Sequence, residues 1–429
     1  MDEVKSFKGS ILAFTRNSYI FEAMSSVNSP ETPWQRTKKR FLRNKLSVFG
    51  LAIILIFILV SLLGYLIMPD DTPMANRMAV QLSTKHPGTS VQFLAIRKNQ
   101  QIDTVGFFTK IFYGQPDFFD FVPINSYQFK VDSIVVDEYT GGSDDEKLMH
   151  SFSLVDVAFP LSEGEKIAVN DSMYTFKDIY GQTESVTLTD LQKKVAAENI
   201  ITRKYWLGTD LYGRDMLSRL ILGSRVSLSV GFMSVLISLI IGIALGALAG
   251  YYGGWIDQFI SWLINVVWSL PSLLIVIAIS FALGKGFFQV FVAIGLTTWV
   301  DVARMVRGQI MGIREVEYVE AGRAMGFTDA RIIVRHILPN ISGPILVVAS
   351  ANFASAILLE AGLSFLGFGV QPPFPSWGGM IKEHYGYIII GAAYLAILPG
   401  LAIMMMVYAF NLVSVGLTDA FNVKGQTSS

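Results

Sequence analysis

Glu317 and Glu320 stand beside Ala321, Gly322, Ala324 and Gly326 at the head of a polar stretch, EYVEAGRAMGFTDARIIVRHILP, that runs from Glu317 to Pro339. The chemistry open to these residues is recognition. Small side chains let a second protein surface approach a helix backbone, and a carboxylate among them supplies a charged anchor. The stretch is rich in arginine and lies between two long apolar segments, and so many charges cannot sit in lipid. It must lie in water, as a docking element on a membrane protein. Residues 314–325 have helix-forming composition, Gly326 can take the left-handed conformation that ends a helix, and Thr328 or Asp329 can cap the next. A bent helix pair is expected, with Glu320 held by Arg323 or by a partner's cation.

Bond-making chemistry finds little support. There are no cysteines, which excludes a thiolate metal site, a cysteine nucleophile and a disulfide framework. The four histidines, His86, His150, His336 and His384, are dispersed and form no HExxH pair. A GxxxxGK[ST] phosphate loop and a GxSxG elbow are also missing, so no catalytic residues, metal site or resident cofactor are expected in this chain. Ionisable and polar groups inside apolar segments are the remaining candidates, because they are costly there and mark pathways by default. These are Asn265 near Pro271, Asp301 with Arg304 at i, i+3, and Glu360. Asp301 and Arg304 can simply pair.

The elements that position these residues are membrane spans. The chain is 52% hydrophobic and 16% charged with mean hydropathy +0.47, against about 25% charged in soluble domains. Zero formal net charge leaves no basic field for nucleic acid. Runs of roughly 20 apolar residues occur at 47–68, 226–251, 259–283, 287–311, 341–360 and 388–416, six spans in all. Arg36, Lys38, Lys39, Arg40, Arg43 and Lys45 precede the first, and Arg304, Arg307, Arg314, Arg323, Arg331 and Arg335 cluster around the docking stretch. The positive-inside rule places both groups in the cytoplasm. The connections at Lys285 and Lys382 then fall outside. The first span is too long for a signal-peptide core and no small-residue cleavage site follows Met68, so it is expected to persist as an anchor. Upstream, Phe7, Ile11, Phe14 and Phe21 suggest either a helix on the inner membrane surface or a disordered tail.

Residues 69–204 depart from this pattern. Short alternating runs at 91–96, 127–136, 152–159 and 173–176, punctuated by Gly, Asp, Ser and Pro, read as strands. Thr189-Asp190 reads as a helix cap near the end of the segment. A folded, strand-rich α+β extracytoplasmic insert is expected. Its acidic run, Ser143 to Glu146, reads as a solvated turn rather than a cation site. In the stretch Leu207 to Arg219, Thr209 or Asp210 is the expected helix cap and Asp215 with Arg219 the expected i, i+4 ion pair. The Gly-, Pro- and aromatic-dense segment 367–379 must be irregular backbone, tolerable at membrane depth only under cover, and is a candidate outer gate.

Two fingerprints carry a resemblance. Glu320-Ala321-Gly322, three residues, Gly326, nine residues, then His336-Ile337-Leu338-Pro339 resembles the EAA loop. Leu207-Gly208-Thr209-Asp210-x-x-Gly213-Arg214-Asp215-x-x-Ser218-Arg219 resembles LGTDxxGRDxxSR. Tyr251-Tyr252-Gly253-Gly254, Ser364-Phe365-Leu366-Gly367 and Pro375-Ser376-Trp377-Gly378 add to it. Together they resemble permease subunits of oligopeptide and dipeptide ABC importers, the OppC/DppC branch of the binding-protein-dependent transport inner-membrane component family. Gly322 in place of alanine, His336, Trp206 and the insert depart from the pattern.

The resemblance implies an all-α polytopic permease of the type I importer kind, organised as a cytoplasmic segment (1–46), a first span (47–68), the insert (69–204), a five-span core (205–422) with its coupling loop (314–339), and a cytoplasmic tail (423–429). It implies that Glu317 through Gly326 insert into an ATPase subunit. The implied partners are a second homologous permease, two cytoplasmic ABC ATPases that bind the ATP and Mg, an extracellular lipid-anchored peptide-binding protein and membrane lipid, in a bacterial plasma membrane. A membrane-anchored peptide sensor, or a permease for nickel chelates, haem or sugars, are the alternatives.

Overall fold

Asn44 separates two helices of opposite character: its side chain accepts the Ser47 N–H at 3.3 Å and caps the second of them. The first, α1 (Pro33–Arg43), carries the basic cluster; the second, α2 (Lys45–Ile67), is apolar all round and exposes Leu55, Leu59 and Leu62. An all-round apolar surface has no water-facing stripe, as a membrane span requires. This computed structural model describes residues 33–141, 147–162, 164, 166–170, 173–284 and 286–421. The segment with Phe7, Ile11, Phe14 and Phe21, the acidic run at 143–146, Lys285 and the 423–429 tail lie outside the described residues.

After α2 come β1 (Thr89–Arg97), α3 (Phe107–Tyr113), β2 (Phe119–Phe129), β3 (Ser133–Glu138), β4 (Leu148–Ser153), α4 (Leu154–Ala158), β5 (Ala168–Asn170), β6 (Met173–Lys177), β7 (Thr183–Thr187), α5 (Leu188–Lys194) and β8 (Ile200–Tyr205). Five strands form an antiparallel sheet in the order β4-β3-β2-β1-β8, and β5-β6-β7 form a second. Leu94, Ile134, Val136, Leu154, Phe176 and Leu191 close a core between them. The apolar run 127–136 is not one strand: Lys130 N–H turns back to the Ser133 carbonyl at 2.8 Å and makes a hairpin. Run 152–159 is mostly helical, as α4. The cap of α5 is Thr187, which accepts the Asp190 N–H at 3.3 Å, two residues before the expected position.

The remaining helices are α6 (Met216–Tyr252), α7 (Gly254–Trp268), α8 (Ser272–Leu283), α9 (Phe287–Ile313), α10 (Glu317–Ala324), α11 (Asp329–Ile332), α12 (Ser342–Leu366), α13 (Trp377–His384) and α14 (Tyr394–Phe421). Among the described residues five helices are long and apolar enough to cross a membrane, or six spans if α7 and α8 count as one. Those two are bent by 94° at the break before Ser272, so the run 259–283 is a broken element rather than one helix. Pro271 lacks the N–H and the steric room to continue α7. The run 388–416 likewise begins later than its hydropathy suggests, at Tyr394, after a 3₁₀ turn at Tyr385–Ile388.

Gly242, Gly246 and Gly250 recur every four residues along one face of α6 against α9. A Cβ at these positions would lie 2.5–2.8 Å from Val302 and from the Ala303 and Arg307 carbonyl oxygens. Backbones that approach this closely gain dispersion contacts that lipid cannot replace. The polar stretch at 317–339 packs on both helices of this pair, and α9 also carries Asp301 and Arg304.

Candidate coupling hinge and translocation surface

α9 delivers the chain to the hinge. Val319, Ile332 and Ile337 turn inward onto Val302, Val306 and Ile310 of α9 and onto Tyr251 of α6, which seats the polar stretch on the end of the bundle. Gly326 has φ +76°, its N–H reaches the Arg323 carbonyl at 2.9 Å, and the Phe327 N–H reaches the Gly322 carbonyl at 3.1 Å. These two bonds satisfy the terminal carbonyls of α10 and define a Schellman stop. Thr328 then starts α11, and a wide turn through Ile333–Ile337, closed by Leu338 N–H to the Ile333 carbonyl at 2.9 Å, precedes Pro339.

On this hinge Glu317, Glu320, Ala321, Ala324 and Gly326 are all exposed, whereas Gly322 is buried. A Cβ on Gly322 would meet Phe327 and Ile332 at ordinary contact distances of 3.6–3.9 Å, so the alanine that the EAA pattern carries would fit. Arg323 does not hold Glu320. Its Nε donates to the Tyr251 hydroxyl at 3.4 Å and its guanidinium lies over that ring, while the same hydroxyl donates to Asp329 Oδ1 at 2.7 Å. The carboxylates of Glu317 and Glu320 therefore make no hydrogen bond or ion pair among the described residues. Exposed Met325 and Val334 flank them.

Asp301 and Asn265 border two separate cavities that share Trp268, and Glu360 lines neither of them. Asp301 borders a cavity of about 300 Å³ with Trp268, Thr297 and Thr298; Asn265 borders one of about 420 Å³ with Trp268, Ser261 and Arg304. Trp268 stands between the two, and Arg304 stacks on its ring at 3.9 Å rather than forming an ion pair with Asp301. Glu360 is fully buried and accepts from Ser227 Oγ at 3.2 Å and Ser364 Oγ at 2.8 Å. Nearby, the irregular segment 367–379 runs into α13, whose Trp377 is fully buried and donates Nε1–H to the Leu220 carbonyl at 3.0 Å.

The stretch Leu207–Arg219 forms a buried knot. Asp210 Oδ1 accepts the Tyr212 and Arg214 N–H groups at 2.9 Å each, and Oδ2 accepts Arg214 Nε at 2.6 Å. Arg214 and Arg219 both reach toward Glu383 of α13, at 3.3 and 3.9 Å. Asp215, not Thr209 or Asp210, is the N-cap of α6, its Oδ2 accepting Ser218 N–H at 2.7 Å and Oγ–H at 2.5 Å. That use removes it from the expected pair with Arg219, which lies 3.5 Å from Asp210 instead. Gly208 and Gly213 are required: both have positive φ, and a Cβ would lie 2.3 Å from the Lys85 carbonyl oxygen and 1.8 Å from that of Ala79. The knot clamps the segment that follows α2 onto the start of α6.

Two stretches of the chain match known families. Residues 242–424 match the model of the binding-protein-dependent transport system inner membrane component, and residues 32–83 match the N-terminal TM domain of oligopeptide transport permease C. A glutathione transport system permease protein, GsiD, of Pectobacterium atrosepticum is 43% identical over 220 residues, covering 51% of this chain and 73% of that protein. A dipeptide transport system permease protein, DppC, of Alkalihalophilus pseudofirmus is 42% identical over 221 residues, covering 52% and 72%. The chain belongs to the binding-protein-dependent transport permease family. It is a membrane subunit of such a transport system. Among solved structures, the inward-facing MetNI methionine ABC transporter is similar over 48% of this chain and 97% of that one, at 21% identity and TM-score 0.41.

In this permease the two matched stretches, far apart in sequence, pack together as α2 against α14. A Cβ on Gly50 would fall 2.8 Å from the Ala409 carbonyl oxygen, and one on Gly416 would fall 1.9 Å from Ser47 Oγ. Most of the insert lies between the two matches. The sequence reading missed Tyr251 and the α6 glycine stripe. The Tyr251-Tyr252-Gly253-Gly254 motif and the four-residue glycine spacing were the available signals. Tyr251's partners, 72 and 78 residues away, are visible only in the fold.

Proposed function

We propose that the permease forms one half of the translocation pathway of an ATP-driven peptide importer and couples to an ATPase subunit through α10. The observation that carries this reading is the state of the hinge. Glu317, Glu320, Ala321, Ala324 and Gly326 form an exposed face, with both carboxylates unpaired among the described residues, on a hinge braced against the bundle by Tyr251 and Asp329. A carboxylate left free on a rigid support is preorganised for a partner.

The basic residues of α1 and of the hinge put both on the cytoplasmic side, with the chain's two ends. The insert is then extracellular. There it extends the platform on which a lipid-anchored peptide-binding protein rests. A second, similar permease completes the pore across the face that carries Asn265 and Asp301, and the polar cavities beside Trp268 line the pathway, with Glu360 bracing the gate segment above it. Two cytoplasmic ATPases bind ATP and Mg and close on each other, which moves the hinges together and rocks the spans. The chain itself performs no bond-making step. Peptides are the cargo because the relatives are dipeptide and glutathione permeases.

The test is Glu320→Arg in the reconstituted complex. Glu320 is exposed, so the unfolding free energy should change by no more than a surface substitution does, about 0.5 kcal/mol. Peptide-stimulated ATP hydrolysis should collapse. Unaltered stimulated hydrolysis would refute the coupling role.

A further inference from the structure

The insert carries a short helix whose exposed face does not suit water. In α3, Phe107 is 64% exposed, Phe108 76%, Phe112 56% and Tyr113 71%. Four large aromatic side chains on seven residues are a concentrated apolar patch, the kind that marks an interaction surface. Its position is fixed by one side chain. Arg225, in α6, donates to the Ser61 and Leu62 carbonyls of α2 at 3.0 and 3.1 Å, and to the Ile111 and Phe112 carbonyls of α3, both at 2.9 Å. The guanidinium thus satisfies orphan carbonyls at the C-terminal end of α3 and ties them to α2.

Those contacts set a depth. Leu62 lies five residues before the end of α2, which at 1.5 Å per residue is about 8 Å below the end of that span. The end of α3 is level with it. Gly114, which ends α3 at φ +80°, allows this approach, since a Cβ there would lie 2.6 Å from the Asp71 carbonyl oxygen and 2.8 Å from the Tyr65 ring. Lys110, the one cation of α3, points back to Asp71 at 2.9 Å, as a snorkelling lysine does. Leu62 and Leu66 of α2, exposed beside it, continue the same apolar surface.

We infer that α3 is an interfacial foot: Phe107, Phe108, Phe112 and Tyr113 dip into the lipid leaflet at the end of α2 and tie the insert to the bilayer surface. Amphipathic helices of this kind sink about 5–10 Å into the headgroup and acyl boundary, which agrees with the level set by Arg225. Tyrosine is enriched at the membrane interface, and phenylalanine belongs on the buried apolar face of an interfacial helix.

The cysteine-free chain permits a direct test. A spin label on Phe108→Cys, and separately on Phe112→Cys, is read by power saturation in the full permease reconstituted into phosphatidylcholine–phosphatidylglycerol nanodiscs. Leu59→Cys in α2 serves as the lipid reference and Val169→Cys in the insert as the water reference. The foot predicts oxygen accessibility high and nickel-chelate accessibility low at both sites, close to the Leu59 values. Chelate accessibility equal to that at Val169 would overturn it. So would a label shielded from both reagents in the assembled complex, because the patch would then be covered by protein.

Discussion

Asp215 shows how a side chain can hold two structures together and carry a cost for doing so. It caps α6 through Ser218, whose Oγ also accepts the Asp70 N–H at 3.0 Å, so one carboxylate links the new span to the segment leaving the first. Its other oxygen is buried without a donor. Burial is the largest influence and pushes the Asp215 carboxyl above the ordinary range; the Ser218 bonds pull against it, with Asp70 and Arg203 nearby. A carboxyl raised in the folded state favours folding while protonated and opposes it once ionised. This contribution is therefore largest below the unfolded pKa of about 3.9 and is lost as pH rises through the folded value. Asp215→Asn keeps an acceptor for Ser218 and removes the charge. The gap in thermal midpoint, variant minus wild type, should widen from pH 4 to pH 7; a flat or narrowing gap would contradict this account. The expected Asp215–Arg219 pair failed for the same local reason, because a carboxylate at the first position of a helix is claimed by the N–H groups above it.

At the scale of elements, legibility followed the range of the physics. The stop at Gly326 was readable because a positive-φ glycine acts within a few residues of itself; Thr328 takes the N-cap position of α11 in extended conformation, but its side chain makes no capping hydrogen bond. The break between α7 and α8 was not readable. An apolar run reports that a segment avoids water, not that it keeps one direction. The segment 152–159 misled in the same way, since its alternation suits a strand while Leu154–Ala158 pack as one helical turn onto the core. Tyr251 makes the hinge a unit by joining α6 to both α10 and α11. Removing its hydroxyl in Tyr251→Phe leaves Asp329 and Arg323 without it, a loss of about 1 kcal/mol. Peptide-stimulated ATP hydrolysis should fall severalfold while co-purification of the ATPases persists. Full stimulation in this variant would mean that α10 is held by its apolar contacts alone.

At the scale of the whole molecule, the bundle was legible as a count of spans, six if the bent pair α7 and α8 is one, and the fingerprints named its family. The placement of the candidate pathway residues was not. Asp301 and Asn265 border separate cavities on either side of Trp268, whereas Glu360, which reads in sequence like the other intramembrane carboxylate, is buried and held by Ser227 of α6 and by Ser364 of its own helix. Hydropathy gives depth and says nothing of facing. The clamp at Gly208 and Gly213 escaped notice for a related reason: the segment it grips is more than 120 residues earlier. The central proposal is that a braced hinge at one end of this bundle meets an ATPase. Ala324, small and exposed on α10, can be replaced by cysteine without a competing thiol elsewhere in the chain. With a photoactivatable cross-linker on Ala324→Cys in membranes holding the complete transporter, the account predicts a covalent product with the ATPase subunit, and none from Val169→Cys on the insert. Modification of Ala324→Cys in intact cells by a membrane-impermeant thiol reagent, with no ATPase product, would contradict it.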